Sequence, residues 1–211
     1  MRSIGLLIAL LAILSLSYYS NIAYAVEIVP WHSSEGIKRL ERSQHKIDFF
    51  TLSNQFETQI NKLYCGLASS AIVLNALRLH NPHIEKPQDH SHLPSEHRTY
   101  LPKDFDPILM RYTQNTVLHP HIKELKHLLG KPITISGKQM ADYGLQLHEL
   151  AELLQSHDLE VLMRTVTPDT PEALIRRELL TNLNTKDDYV LINYHRATFN
   201  QPGNGHISPL A

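Results

Sequence analysis

A single cysteine occurs in the 211 residues, and it stands where the texture of the sequence changes. "QINKLY" (59–64) runs up to Cys65, and "GLASSAIVLNAL" (66–77) follows it. Apolar or small residues at 67, 68, 71, 72, 74, 76 and 77 fall at helical spacing, and Asn81-Pro82 closes the pattern. The spacing predicts a helix from Cys65 to Leu79. Ala68, Ser69, Ser70 and Ala71 make its first two turns slim, so that another backbone can approach closely. A thiol in the first turn lies where unpaired backbone N–H groups and the positive end of the helix dipole favour the thiolate. The thiolate is the nucleophilic form, so the placement suits covalent catalysis. Gly66, next in sequence, leaves room for a substrate backbone. A lone cysteine is more often a small buried hydrophobe, so the chemistry needs a second half.

That half is a base, which in thiol enzymes comes from far along the chain. There are fourteen histidines. His80, His83, His90, His92 and His97 fall in a loop region, and His119, His121 and His127 read as solvated. The group between His80 and His97 offers soft-metal ligands, but its irregular spacing fixes no geometry and the metal ligands stay unknown. His206 differs, because it follows Gly203-Asn204-Gly205 and opens a strand, which aims its ring off the rim of a sheet. The preceding "YVLINY" strand should lie antiparallel beside it, with Asn193 reaching the same rim.

The positioning elements read as follows. Ser33-Ser34 caps a short helix through Arg42, and Phe49, Phe50 and Phe56 offer core anchors. Residues 80–107, rich in His, Pro and Asp, read as a surface loop. Helical stretches are expected in "FDPILMRYTQNTV" (105–117) and "HIKELKHLLG" (121–130). Leu145, Leu147, Leu150, Leu153 and Leu154 form one helix face, followed by a strand at "EVLMRTV" (160–166). A further helix should start at Pro171 behind an Asp169 or Thr170 cap, and "DYVLINYHRA" should be a buried strand. The sum is an α+β domain, helices first, with an antiparallel sheet gathering towards the C-terminus.

In papain-like thiol enzymes a glutamine spaced from the thiol as Gln59 is from Cys65 supplies a side-chain N–H to the oxyanion hole, with the backbone N–H of the cysteine as second donor. "YCGLASSAIVLNAL" and "YVLINYHRATFNQPGNGHISPLA", with weaker similarity in "YGLQLHELAELLQSHDLEV", resemble the blocks of phytochelatin synthase, in its bacterial single-domain form. The resemblance spans roughly residues 45–211 and implies a papain-like fold. It implies Cys65 as the nucleophile on the Cys–Gly amide of glutathione, His206 as general base and acid, and Gln59 as oxyanion donor. Gly66, Asn193, Arg196 and Gly205 are implied substrate contacts. The γ-glutamylcysteinyl thioester would pass to a second glutathione or to water. No cofactor is required for acylation, while cadmium or zinc could act as activators or as complexes of the substrate. The Cys65–His206 interval is longer than the family's, and the excess is expected as a surface insertion around 83–130. The family's orienting aspartate lies on a strand beyond the "GHISPLA" block, so a catalytic domain cut short at its C-terminus is expected. The alternative function is an inactive exported protein that binds thiol peptides or heavy metals; a papain-like peptidase with a different acyl group is the third reading.

The chain as a whole sets limits. "MRSIGLLIALLAILSLSYYSNIAYA" carries an early Arg2, an uncharged run from Ile4 to Leu16, and a small-x-small end at Ala23-Tyr24-Ala25. It reads as a signal peptide (1–25) ahead of a catalytic domain (26–211), with export to the periplasm; an uncleaved anchor is the alternative. A net charge of −1 gives no footprint for nucleic acid or an anionic membrane. One cysteine allows no internal disulfide, and an odd thiol in an exported chain points to reactivity or intermolecular pairing, a homodimer included.

Overall fold

The computed structural model describes residues 28–211; the predicted signal peptide lies outside them. The first helix, α1 (Ser34–Arg42), begins where a hydroxyl can cap it: Ser33 Oγ accepts from the Gly36 N–H at 3.1 Å. Helix α2 (Ile47–Asn54) follows, then α3 (Cys65–Arg78), which starts at the cysteine as its apolar pattern requires. Every residue of α3 from Gly66 to Ala76 is buried. A helix apolar or small on all sides belongs inside the molecule, and α3 is the axis about which the rest packs.

Two clusters form the core on either side of it. Leu67, Ala71 and Leu74 meet Tyr112, Val117, Leu128, Leu145, Leu150, Leu153 and Ile207. Ile72, Val73 and Ala76 meet Leu52 of α2, with Tyr189 and Leu191 against them. Phe50 and Phe56 are not core anchors: they are 65% and 67% exposed, and only Phe49 is partly covered, edge-on to Trp31.

Residues 80–107 are mostly loop, with one 3-10 turn at His90–His92 and a single helical turn, α4 (Ser95–Arg98). The helix expected over 105–117 is absent, because side chains elsewhere hold that backbone in an irregular path. Buried Asn75 of α3 donates to the Tyr112 carbonyl and accepts from the Tyr112 N–H, both at 2.9 Å. Of the stretch 121–130 only α5 (Leu125–Leu128) is helical. A small hairpin that sequence periodicity did not reveal follows, β1 (Ile133–Ile135) with β2 (Lys138–Met140). Its turn residues, Ser136 and Gly137, both have positive φ, as a two-residue hairpin turn demands.

Helix α6 (Leu147–Gln155) buries Leu150, Leu153 and Leu154 as the leucine spacing predicted. Its first turn is held by buried Lys123, whose ammonium lies 2.8 Å from Asp142 and 3.0 Å from Glu149. The strand expected at 160–166 is not formed: the segment has no ladder partner among the described residues, and Leu162 is 84% exposed. Helix α7 (Glu172–Asn182) starts one residue later than predicted, with Pro171 as its cap residue; the Thr170 hydroxyl instead accepts from the Thr167 N–H. The chain ends in an antiparallel pair, β3 (Val190–His195) and β4 (Gly205–Leu210), joined through a 3-10 turn at Arg196–Phe199. β3 is half-buried rather than buried. Helices with small antiparallel sheets make the domain α+β, as expected. Among the described residues no helix is long and apolar enough to cross a membrane.

Candidate active site

Cys65 is the first residue of α3, half-buried, with a free thiol packed at the edge of the larger core cluster. What fixes it is the strap before it, residues 57–64, and what fixes the strap is Gln114. That buried amide accepts from the Ile60 N–H at 3.0 Å and donates to the Thr58 carbonyl at 2.9 Å and to Glu57 at 3.1 Å. Arg111 adds a second hold on Glu57 at 3.0 Å. Gln59 is thus clamped on both sides by backbone bonds to one side chain. Its own amide donates to the Asn61 carbonyl at 3.1 Å, and the same carbonyl accepts from the Tyr64 N–H. The Gln59 donor therefore lies at the turn that leads into the thiol.

β4 reaches the same end of α3 through the slim turns anticipated from Ala68 to Ala71. Ser69, fully enclosed, donates its hydroxyl to the Ile207 carbonyl at 3.2 Å. Gly66 lies beneath Ile207 and Leu145: a Cβ there would stand 3.3 Å from Ile207 Cδ1 and 2.9 Å from Leu145 Cδ1. Gly66 was expected to admit a substrate backbone; its missing side chain instead makes room for the core. The neighbour of Cys65 thus touches the neighbour of His206.

His206 is half-buried, and its surroundings come from β3 and the connecting turn. Across the ladder it pairs with Tyr194, whose ring meets the imidazole edge-on at 5.6 Å. Asn193 pairs instead with Ile207 and is exposed. Cross-strand partners share a face and neighbours alternate, so Asn193 and His206 project from opposite faces rather than sharing a rim. Gly205, exposed, borders Asn193 across the strands. The group that does reach the imidazole is Arg196, with Nη2 at 2.9 Å from His206 Nδ1. This contact was not legible in the sequence, where Arg196 stood only as a substrate contact.

The turn is built to deliver it. The Arg196 N–H donates to the Asn204 carbonyl at 2.9 Å, and its carbonyl accepts from the Gln201 N–H at 3.1 Å. Gly203, at φ 107°, leaves its side open to the arginine stem, whose Cδ would lie 3.1 Å from a Cβ there. Burial first, and then the guanidinium, push the His206 pKa below the ordinary histidine value. Among the described residues no three His, Cys, Asp or Glu side chains gather as a metal site; of the loop histidines only His90 is partly buried, beside Asp106.

The arrangement offers a thiol on a helix tip, an amide donor on the strap before it, and an imidazole on the strand packed against that tip. No curated protein matches the chain. The model of the family described as phytochelatin synthase matches it over residues 19–211, which takes in α3, the strap before it and the β3–β4 pair, and the chain belongs to that family.

Proposed function

We propose that the chain is a papain-like thiol acyltransferase or hydrolase that cleaves the Cys–Gly bond of glutathione. The observation that carries this is the junction of α3 and β4: Gly66 against Ile207, and Ser69 bonded to the Ile207 carbonyl, set the strand that bears His206 against the first turns of the helix that bears Cys65. Membership of the family supports the choice of substrate.

In the proposed cycle the Cys65 thiol gives its proton to His206, and Sγ attacks the cysteinyl carbonyl carbon of glutathione. The carbonyl oxygen becomes an oxyanion, received by the Gln59 amide and the Cys65 backbone N–H. As the C–N bond breaks, imidazolium His206 returns the proton to the departing amine, and glycine leaves. The γ-glutamylcysteinyl thioester then acylates the amino group of a second glutathione or water, with His206 again taking the proton and Sγ leaving. Arg196 is the cation for the substrate carboxylate. Cadmium or zinc would enter as thiolate complexes of the substrate, and the activity would be exerted after export.

Incubation of the purified protein with glutathione should release glycine, and Cys65→Ser should release none. Absence of glycine from a folded wild-type protein overturns the reading.

A further inference from the structure

The hydrogen bond between Arg196 and His206 has a consequence for the base. Arginine is a donor only, so the 2.9 Å contact makes His206 Nδ1 the acceptor. A neutral imidazole has one acceptor nitrogen and one N–H; with Nδ1 accepting, Nε2 carries the proton. The single lone pair of the ring is therefore occupied by a guanidinium. Protonating Nδ1 in place would set an N–H against an N–H, both on cations.

We propose that Arg196 is a substrate-operated gate on His206: it caps the basic nitrogen in the free protein and leaves it for the carboxylate of an incoming glutathione. This rests on glutathione as the substrate and deepens that reading. The carboxylate of the leaving glycine is one carbon from the scissile nitrogen, so a guanidinium at the base is close to where that carboxylate must lie. Arginine and carboxylate match as a two-pronged, charge-assisted pair, a better partner for the guanidinium than a neutral nitrogen. The exchange would free the lone pair when the amide to be cleaved is in place. Glycine release would return Arg196 to the ring.

The surroundings fit a side chain with two seats. The stem of Arg196 runs beside Gly203, where a side chain would obstruct it, and its backbone is fixed at both ends by the bonds to Asn204 and Gln201. The head can therefore swing while its root stays in place. Arg196 is the charged group on the imidazole, Tyr194 meets the ring by its edge, and α3 contributes Cys65 as its only titratable side chain before Arg78. Burial first, and then the Arg196 cation, lower the His206 pKa.

The test follows His206 itself, by nitrogen-15 NMR of histidine-labelled Cys65→Ser protein, which cannot turn over. In the free protein the ring should hold its proton on Nε2, with Nδ1 unprotonated. Arg196→Met, which keeps the stem and removes the donors, should raise the His206 pKa without any ligand; Arg196→Lys should leave it low. Glutathione should raise it in the Arg196 protein, and glutathione amide, which lacks the glycine carboxylate, should not. A free ring protonated on Nδ1, or an unchanged pKa in a folded Arg196→Met protein, overturns the gate. Equal effects of glutathione and its amide overturn the carboxylate as its trigger. Failure of the substrate reading shows separately, as no glycine release by the wild type, while the ligand-free comparison still decides what Arg196 does to the ring.

Discussion

Gln59 spends one donor in the free protein, on the Asn61 carbonyl at 3.1 Å. A primary amide has two N–H groups, so the other can meet an oxyanion without breaking that turn. Gln59→Ala should therefore lower kcat for glycine release by about 10²–10³, the usual cost of losing one oxyanion donor, with little change in KM. Steady-state kinetics with glutathione check this, and a loss confined to KM would assign Gln59 to substrate binding instead. The helix start at Cys65 and the strand start beside His206 were legible because residue type and spacing mark an element's end. The Arg196 contact was not, because it depends on the register that sets His206 opposite Tyr194 and on the path of the turn through Asn200 and Gly203, both at positive φ. No local pattern encodes which side chain a turn lays against a ring ten residues on.

At the scale of elements, the helices with a buried face were readable and the segments defined by partners were not. α3 and α6 run where their apolar spacing put them, and Ser33 caps α1. The alternation in "EVLMRTV" is genuine, but a strand is made by a ladder, and none of the described strands lies alongside it. The stretch 105–117 has apolar residues enough for a helix, yet Asn75 takes both the N–H and the carbonyl of Tyr112 in its middle. That same stretch supplies Gln114, which gives the strap its shape. Gln114→Ala should leave the Ile60 N–H and the Thr58 carbonyl without their partner, costing about 1–3 kcal/mol. Thermal melting should show a fall of roughly 2–12 °C at 2–4 °C per kcal/mol for a chain of this size. Because Gln59 lies between the two freed groups, kcat measured well below the melting range should fall as well. A melting shift with unchanged kcat would mean that the strap finds its shape without the clamp.

Across the whole molecule, α3 is held from two sides, and the side away from the thiol carries an unpaired charge. Asp48, on α2 beside the cluster of Leu52, Ile72, Val73 and Ala76, is 2% exposed, and its Oδ2 has no hydrogen-bond partner among the described residues. Burial, and then the neighbouring carboxylates Asp188 and Asp187, raise its pKa to about 6 from an ordinary 3.8. The folded protein thus binds this proton more tightly than the unfolded chain does. The resulting stabilisation is complete below about pH 4 and is lost as the pH climbs through about 6, leaving a buried carboxylate opposed by like charges at neutrality. Asp48→Asn keeps the shape and removes the charge, so it should stabilise the protein at pH 7.5 by on the order of 2 kcal/mol, or roughly 4–8 °C in Tm. Near pH 4 the two proteins should melt together, because there the carboxyl is already neutral. Melting curves across that range decide the matter: a gain that does not depend on pH would make the effect one of hydrogen bonding, and no gain at pH 7.5 would mean that Asp48 keeps its charge hydrated. Tyr189 and Leu191 pack on this same cluster, and Leu191 also borders the larger one, so α2 supports the β3–β4 ribbon from behind. Glycine release by Asp48→Asn should therefore persist to higher temperature at pH 7.5, without a change in its rate at 25 °C.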